Sequence, residues 1–232
     1  MKKAKNRILV IAAHPDDEVL GVGGTIAWHT KCNGDEVYVL FLTEGCSSQY
    51  KNNEAIITQK KNEAETANKI LGVKDLFFED LPDMRLDSLL HIEINEAIEK
   101  YVKKIQPNIV FSHQPDINKD HVIIFESTMV VLRPVPNSSI KKILLYASAS
   151  STEWTAPFSG NYFMPNVFYN ITETLDLKLN AFSCYKTELR DFPHPRAIDS
   201  VRIYAQQVGI SVGLQAAEPF MLMRSFENCQ KT

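Results

Sequence analysis

The stretch Arg7-Ile8-Leu9-Val10-Ile11-Ala12-Ala13-His14-Pro15-Asp16-Asp17-Glu18 decides how this chain folds. Its apolar run from Ile8 to Ala12 is continuous and strand-length, the pattern of a strand buried on both faces. An imidazole and three carboxylates follow immediately. Ionised carboxylates held this close repel and raise one another's pKa unless a cation or a donor compensates, and a bound metal ion supplies that compensation. His14 and Asp17 stand at i and i+3, so one helical turn aims both at one point. Asp16 projects elsewhere and can reach a water held there, which makes two ligands and a base within a single turn.

A second cluster, Phe111-Ser112-His113-Gln114-Pro115-Asp116-Ile117-Asn118-Lys119-Asp120-His121, follows the apolar run Ile109-Val110-Phe111. His121 is the expected third ligand. Catalytic zinc sites take three protein ligands from N and O donors and leave one position open for water, and His/Asp/His is such a set. Zn²⁺ is the expected ion, with Fe²⁺ the alternative. Either cluster alone reads equally well as structure, since a strand-end His is often hydrogen-bonded in place and Asp-rich loops cap helices. Two clusters at the ends of candidate parallel strands favour chemistry.

Around these clusters the chain alternates. Strand patterns fall at 7–13, 36–43, 75–78, 108–113 and 142–146, with a further extended segment at 165–170; helical patterns fall at 24–31, 53–71, 89–105, 119–132, 173–189 and 196–207. Alternating β and α with near-continuous apolar strands predicts an α/β fold, a Rossmann-like three-layer αβα sandwich with a mostly parallel sheet. Ligands in such sheets bind outside the carboxyl ends of the strands, where both clusters lie. The run Gly21-Val22-Gly23-Gly24 lacks the G-x-G-x-x-G spacing and follows carboxylates that would repel a pyrophosphate, so a dinucleotide site is not expected.

The bulk composition fits one domain spanning residues 1–232. The chain is 44% hydrophobic, enough for one sizeable core, and no linker interrupts it. Net charge is −3 with 25 basic and 28 acidic residues intermixed, so no surface-wide field is expected to hold nucleic acid or an anionic membrane. The basic cluster Lys2, Lys3, Lys5 and Arg7 precedes an apolar run too short for a secretory segment or a membrane span. Cys32, Cys46, Cys184 and Cys229 show no CxxC spacing and read as reduced thiols, hence a cytoplasmic address.

Taken together, Ala13-His14-Pro15-Asp16-Asp17-Glu18, Gly21-Val22-Gly23-Gly24-Thr25, Leu42-Thr43-Glu44-Gly45, residues 67–72, Asp116 to His121, and Phe192-Pro193-His194-Pro195-Arg196 resemble the PIG-L/LmbE-like metal-dependent N-deacetylases over nearly the whole chain. The resemblance implies removal of an acetyl group from an N-acetylated amino sugar or a related compound. It implies His14, Asp17 and His121 as metal ligands, Asp16 as general base, and Asp120 as a carboxylate supporting the third ligand. Arg85 resembles part of a loop bordering the substrate pocket; a surface salt bridge to Asp83 or Asp87 is its other reading. Some members carry, three residues before the last ligand, a His that helps stabilise the oxyanion. This chain has Asn118 there, a candidate substrate contact, and the electrophilic partner stays open.

His194, as a protonated imidazole, and Arg196 are the candidates to fill that gap, because flanking prolines fix their backbone. Pro195 also suits the first turn of the following helix, in which case the segment is only a rigid lead-in. In the irregular stretch 134–166, Trp154 and Tyr162 are candidates to stack on a sugar ring or a base, and Glu153 and Asn161 to bond hydroxyls. They could equally cover a core edge or a subunit contact. The expected chemistry is metal-assisted amide hydrolysis of a small N-acetylated substrate, probed against two rivals: an amidase acting on a non-sugar N-acyl compound, and a non-catalytic binding protein stabilised by metal.

Overall fold

The computed structural model describes residues 5–46, 50, 53–136, 138–156, 160 and 162–227. Strands β1 (Arg7–Ala12), β2 (Glu36–Thr43), β3 (Asp75–Leu81), β4 (Ile109–His113), β5 (Lys142–Tyr146), β6 (Val167–Asn170) and β7 (Ala217–Ser225) form one sheet in the order β3-β2-β1-β4-β5-β7-β6. The first five of these in sheet order run parallel, with Val10 beside Phe111 and His113 beside Tyr146. β7 is antiparallel to both β5 and β6. Strand order reverses at β1, which has β2 on one side and β4 on the other, so a crevice opens between the carboxyl ends of β1 and β4.

The period-two alternation of strand side chains builds two cores. Ile8, Val10 and Ala12 of β1 join one cluster with Val37, Val39 and Phe41 of β2; Leu9 and Ile11 join the other with Leu40 and Leu42. The first face is covered by helices α1 (Asp17–Ala27), α2 (Glu54–Leu71), α5 (Leu175–Phe182) and α6 (Ile198–Ser211). The second is covered by α3 (His91–Ile105) and α4 (Lys119–Val131). This is the three-layer αβα sandwich that the alternation predicts.

Four departures from the sequence reading have physical causes. The helix expected at 24–31 begins at Asp17 and continues from Ala27 into a π-helix, Trp28–Asn33. The glycines of α1 are packing requirements. A Cβ on Gly21 would lie 2.2 Å from the Tyr146 ring, and one on Gly24 would lie 2.8 Å from Ile171, so α1 approaches β5 and the β6–α5 turn closely. The helix expected over 173–189 stops at Phe182, because Tyr185 turns inward and is buried. The last helix starts at Ile198 with Ala197 at its N-cap, which places Pro195 outside it. Finally, β7 escapes the period-two reading: Glu218, an inward carboxylate, accepts the Gly24 and Thr25 amides at 2.9 and 2.7 Å and pairs with Lys178 at 2.6 Å, tying α1 to the sheet.

Candidate metal centre and active site

Two chain reversals at the crevice bring the predicted residues together. After β1, His14 leads into the first turn of α1, which carries Asp17; after β4, the Asp116–Asn118 loop leads into α4, which carries His121. Asn118 caps α4, its Oδ1 accepting the Asp120 amide at 2.9 Å. His14, Asp17 and His121 present ligand atoms that all lie within 4.8 Å of one another. Asp17 Oδ2 stands 3.1 Å from His14 Nδ1 and 3.6 Å from His121 Nε2, and its Oδ1 accepts the Ser148 hydroxyl at 2.5 Å.

The remaining atoms of each imidazole face carboxylates. His121 Nδ1 lies 3.0 and 2.9 Å from the two oxygens of Asp116, which fixes the proton on Nδ1 and leaves the buried Nε2 without a hydrogen-bond partner. His14 Nε2 lies 2.9 Å from Asp83 and 3.5 Å from Asp120. The carboxylate supporting His121 is therefore Asp116, not its neighbour Asp120. Asp120 faces His14 and accepts the amides of Met84 and Leu86 at 2.7 and 3.3 Å, securing the loop that carries Asp83. Asp116 is held in turn by the Asn118 amide at 2.8 Å and the Thr152 hydroxyl at 3.1 Å.

The electrostatics suit a cation. Although burial opposes it, the Asp17 and Asp116 carboxylates push the His121 imidazole up to about 9, and Asp120, Asp17 and Asp83 raise His14 in the same way. Burial likewise opposes ionisation of Asp17, yet the imidazoles packed around it, His121 and His14 by hydrogen bond, hold its carboxyl well below the usual range. The cluster holds protons where a divalent ion would replace them. An orphaned buried Nε2, a carboxylate and a second imidazole make a donor set that fits Zn²⁺ or Fe²⁺.

Asp16 stands apart from the ligands, as its spacing predicts. It is 1% exposed, and among the described residues neither of its carboxylate oxygens accepts a hydrogen bond. Burial pushes its carboxyl well above the usual range, and Arg196, at 3.2 Å, pulls it back. Arg196 is anchored by Glu188 at 2.5 Å, and Glu188 by Lys60 at 2.5 Å. Asp16, Arg196, Glu188, Lys60, Asp83 and Asn118 line a cavity of about 80 Å³ beside the cluster. A wider groove of about 520 Å³ between α2 and residues 183–186 contains none of the predicted site residues.

The other candidates lie further out. His194 accepts the Arg196 amide on Nδ1 at 3.1 Å and meets Trp154 edge-to-face at 5.7 Å. Burial, and then the charges of Arg196 and Arg190, lower its pKa, which favours the neutral imidazole. The protonated imidazole expected from sequence is not favoured there. Trp154 ends a short 3₁₀ helix and is 53% exposed; Tyr162 is exposed, and Asn161 lies outside the described residues. Arg85 is exposed on the loop next to Asp83, and its charge acts on Glu44.

Sequence reasoning missed Asp83, Asp116, Lys60, Glu188 and His113. His113, the last residue of β4, stacks on His121 at 3.9 Å, accepts the Ala13 amide on Nε2 at 2.9 Å and is kept neutral by burial. Its place behind the third ligand was signalled only by a polar residue closing an apolar strand. Lys60 and Glu188 lie far from the motifs in sequence, and nothing local marks them.

Fold and site together define an αβα protein with a buried His/Asp cluster at its strand-order reversal. Residues 9–132 match the family described as GlcNAc-PI de-N-acetylase, PIG-L, and the chain belongs to that family. It is 27% identical over 228 residues to a probable N-acetyl-alpha-D-glucosaminyl L-malate deacetylase 2 of Bacillus anthracis, covering 95% of this chain and 96% of that protein. Among solved structures it resembles the N,N'-diacetylchitobiose deacetylase of Pyrococcus horikoshii, with a TM-score of 0.75 at 24% identity, over 94% of this chain and 84% of that one. It resembles equally the 4-carboxy-2-hydroxymuconate hydratase GalB of Pseudomonas putida KT2440, with a TM-score of 0.75 at 20% identity, over 97% and 100%. The fold therefore serves more than one reaction, and the site has to decide between them.

Proposed function

We propose that the chain is a metal-dependent hydrolase that removes the acetyl group from an N-acetylated amino sugar, releasing acetate and a free amine. The observation that carries this reading is a buried carboxylate, Asp16, ion-paired with Arg196 and lining a cavity beside three convergent ligand atoms, one of them an imidazole nitrogen without a hydrogen-bond partner among the described residues. His14, Asp17 and His121 would hold a divalent ion, which when bound supplies Lewis acidity to the acetyl carbonyl and acidifies the attacking water. Asp16 takes the proton from that water. The resulting hydroxide adds to the acyl carbon, the C–N bond breaks, and Asp16 returns the proton to the leaving nitrogen.

Arg196 orients Asp16 and keeps its carboxylate turned to the cavity, with Glu188 fixing the guanidinium. Asn118 lines the cavity and takes the oxyanion-stabilising part that a histidine at position 118 would play, while His194 stands further out, behind Arg196 and against Trp154. A cavity of about 80 Å³ is far below the roughly 300–1,000 Å³ of pockets that engulf a ligand. Only the acetamido end of the substrate enters it. The remainder lies against the rim, where Met84, Ile117 and Trp154 are exposed and Trp154 offers an aromatic face to a sugar ring.

The family's name and the Bacillus anthracis relative support an N-acetylglucosamine-containing substrate. The test is a screen of N-acetylglucosaminides, free, malate-linked and β-linked, with metal-reconstituted protein, reading amine release. Turnover of simple N-acyl amino acids in preference to every sugar would shift the reading to an amidase with a non-sugar substrate.

A further inference from the structure

Asp16 occupies the N-cap of α1, where an aspartate ordinarily turns its carboxylate onto the first free amides of the helix. It does not do so here: its side chain makes no capping bond, and its backbone sits at φ 133°, ψ −29°, in a region that L residues rarely adopt. Three hydrogen bonds hold this conformation. The Asp16 carbonyl accepts the Val19 and Leu20 amides at 3.1 and 2.9 Å, and the Asp16 amide donates to Glu18 Oε2 at 3.1 Å.

Glu18 is itself fixed from two other elements. It is fully buried, and its Oε1 accepts the Asn68 side-chain amide of α2 at 2.8 Å and the hydroxyl of Tyr185, which follows α5. Five donors thus converge on the two helix-side residues, three of them on the Glu18 carboxylate. A glutamate two residues into a helix has no need of this bracket for capping. We infer that Glu18 is a positioning residue for Asp16: braced by Asn68 and Tyr185, it holds the Asp16 backbone in its strained conformation, so that the carboxylate faces the cavity instead of capping α1. The inference rests on the reading of Asp16 as the base.

Glu18→Gln keeps the volume but offers one acceptor oxygen to three donors. Its kcat is expected to fall by roughly ten- to a hundredfold, the range for residues that orient a functional neighbour, with metal content and KM unchanged. In an Asp16→Asn background the same substitution is expected to have no further effect on kcat, because Glu18 acts only through Asp16. An equal fold-loss in both backgrounds would overturn the inference. So would loss of metal from Glu18→Gln. A crystal structure of Glu18→Gln, or of Tyr185→Phe if the first variant does not fold, gives an independent readout: Asp16 is expected to leave φ near 133° and turn toward the α1 amides. An unmoved Asp16 sinks the proposal. If Asp16→Asn alone turned over normally, the base assignment would fail, and the structural readout would still decide whether Glu18 holds Asp16.

Discussion

The two ends of the sheet each bury a histidine against an aspartate, and only one of them is built for chemistry. At the amino ends of β1, β2 and β4, His29 Nδ1 lies 2.7 Å from Asp35, whose carboxylate also accepts the Asn6 amide at 2.8 Å and the Asn6 side chain at 3.2 Å. Asn6 accepts from Asn108, and Asn108 accepts the Arg7 amide, so the cluster laces three strand starts and the π-helix together. At the carboxyl ends, His14, Asp17 and His121 bring ligand atoms together, and the buried Asp16 carboxylate lines a cavity with Arg196 as its ion-pair partner. A buried His–Asp pair is therefore no signature of function. What separates the ends is the gathering of three ligand atoms within 4.8 Å of one another, a crowding of polar groups that in a folded interior costs free energy unless something else uses it.

The sharpest break between the two ends is expected from the ligands. His121→Ala should lose bound metal and fall to background activity, because a three-ligand site has no redundancy. Elemental analysis alongside kinetics checks this, and full stoichiometric metal in that variant would remove His121 from the set. Asp16→Asn should keep its metal and lose roughly 10² to 10⁴ in kcat, the usual worth of a positioned general base. Near-normal turnover in a metal-loaded Asp16→Asn protein would leave the metal site standing and the mechanism wrong.

How much of this was legible beforehand follows from locality. The sandwich, the strand ends and the residues of the candidate metal cluster lie within continuous segments whose period and spacing carry their own meaning: an apolar run, then His14 and Asp17 one turn apart. The supports do not. Asp116 sits five residues from His121 and was passed over for the adjacent Asp120, since neighbours in sequence point to different sides of a helix start. Asp83, Lys60 and Glu188 reach the site only through the tertiary packing of the β3–α3 loop, α2 and the segment after α5. β7 was illegible because its inward-facing Glu218 spends its charge on α1 and Lys178, a pairing no single-strand pattern shows.

That contrast between Asp116 and Asp120 is itself testable. Asp116→Asn should weaken metal affinity or activity by roughly 10- to 100-fold, as loss of a carboxylate behind a ligating imidazole does elsewhere. Asp120→Asn should act instead on the Met84 to Leu86 loop, raising KM more than it lowers metal affinity. Identical metal losses in both variants would erase the distinction. A smaller effect is expected at His194. Its lowered pKa means that a ¹H–¹⁵N titration should find a neutral imidazole at pH 7 with the proton on Nε2. A midpoint above 7 would restore the cationic role expected from sequence.

The smallest effect on activity, and the one that tests the comparison most directly, is expected at the opposite end of the sheet. Asp35→Asn should leave metal content and kcat unchanged, while costing on the order of 1–3 kcal/mol of stability at pH 7, the worth of hydrogen bonds to a charged group. Although burial works against ionisation, His29 and Asn6 hold the Asp35 carboxyl below its ordinary value. A carboxyl lowered in the folded state contributes stability that is fully present above its unfolded pKa, about 3.9, and that is lost as pH falls through the lower folded value. The wild-type advantage over Asp35→Asn should therefore be constant from pH 7 to about 5 and shrink below about 4. Denaturant titrations of both proteins across that range measure it. A gap that persists unchanged at pH 3 would mean that the amino-end cluster is held by shape alone. A loss of activity at pH 7 with the fold intact would mean that the two ends of the sheet are coupled, and that the division between a structural end and a reactive end does not hold.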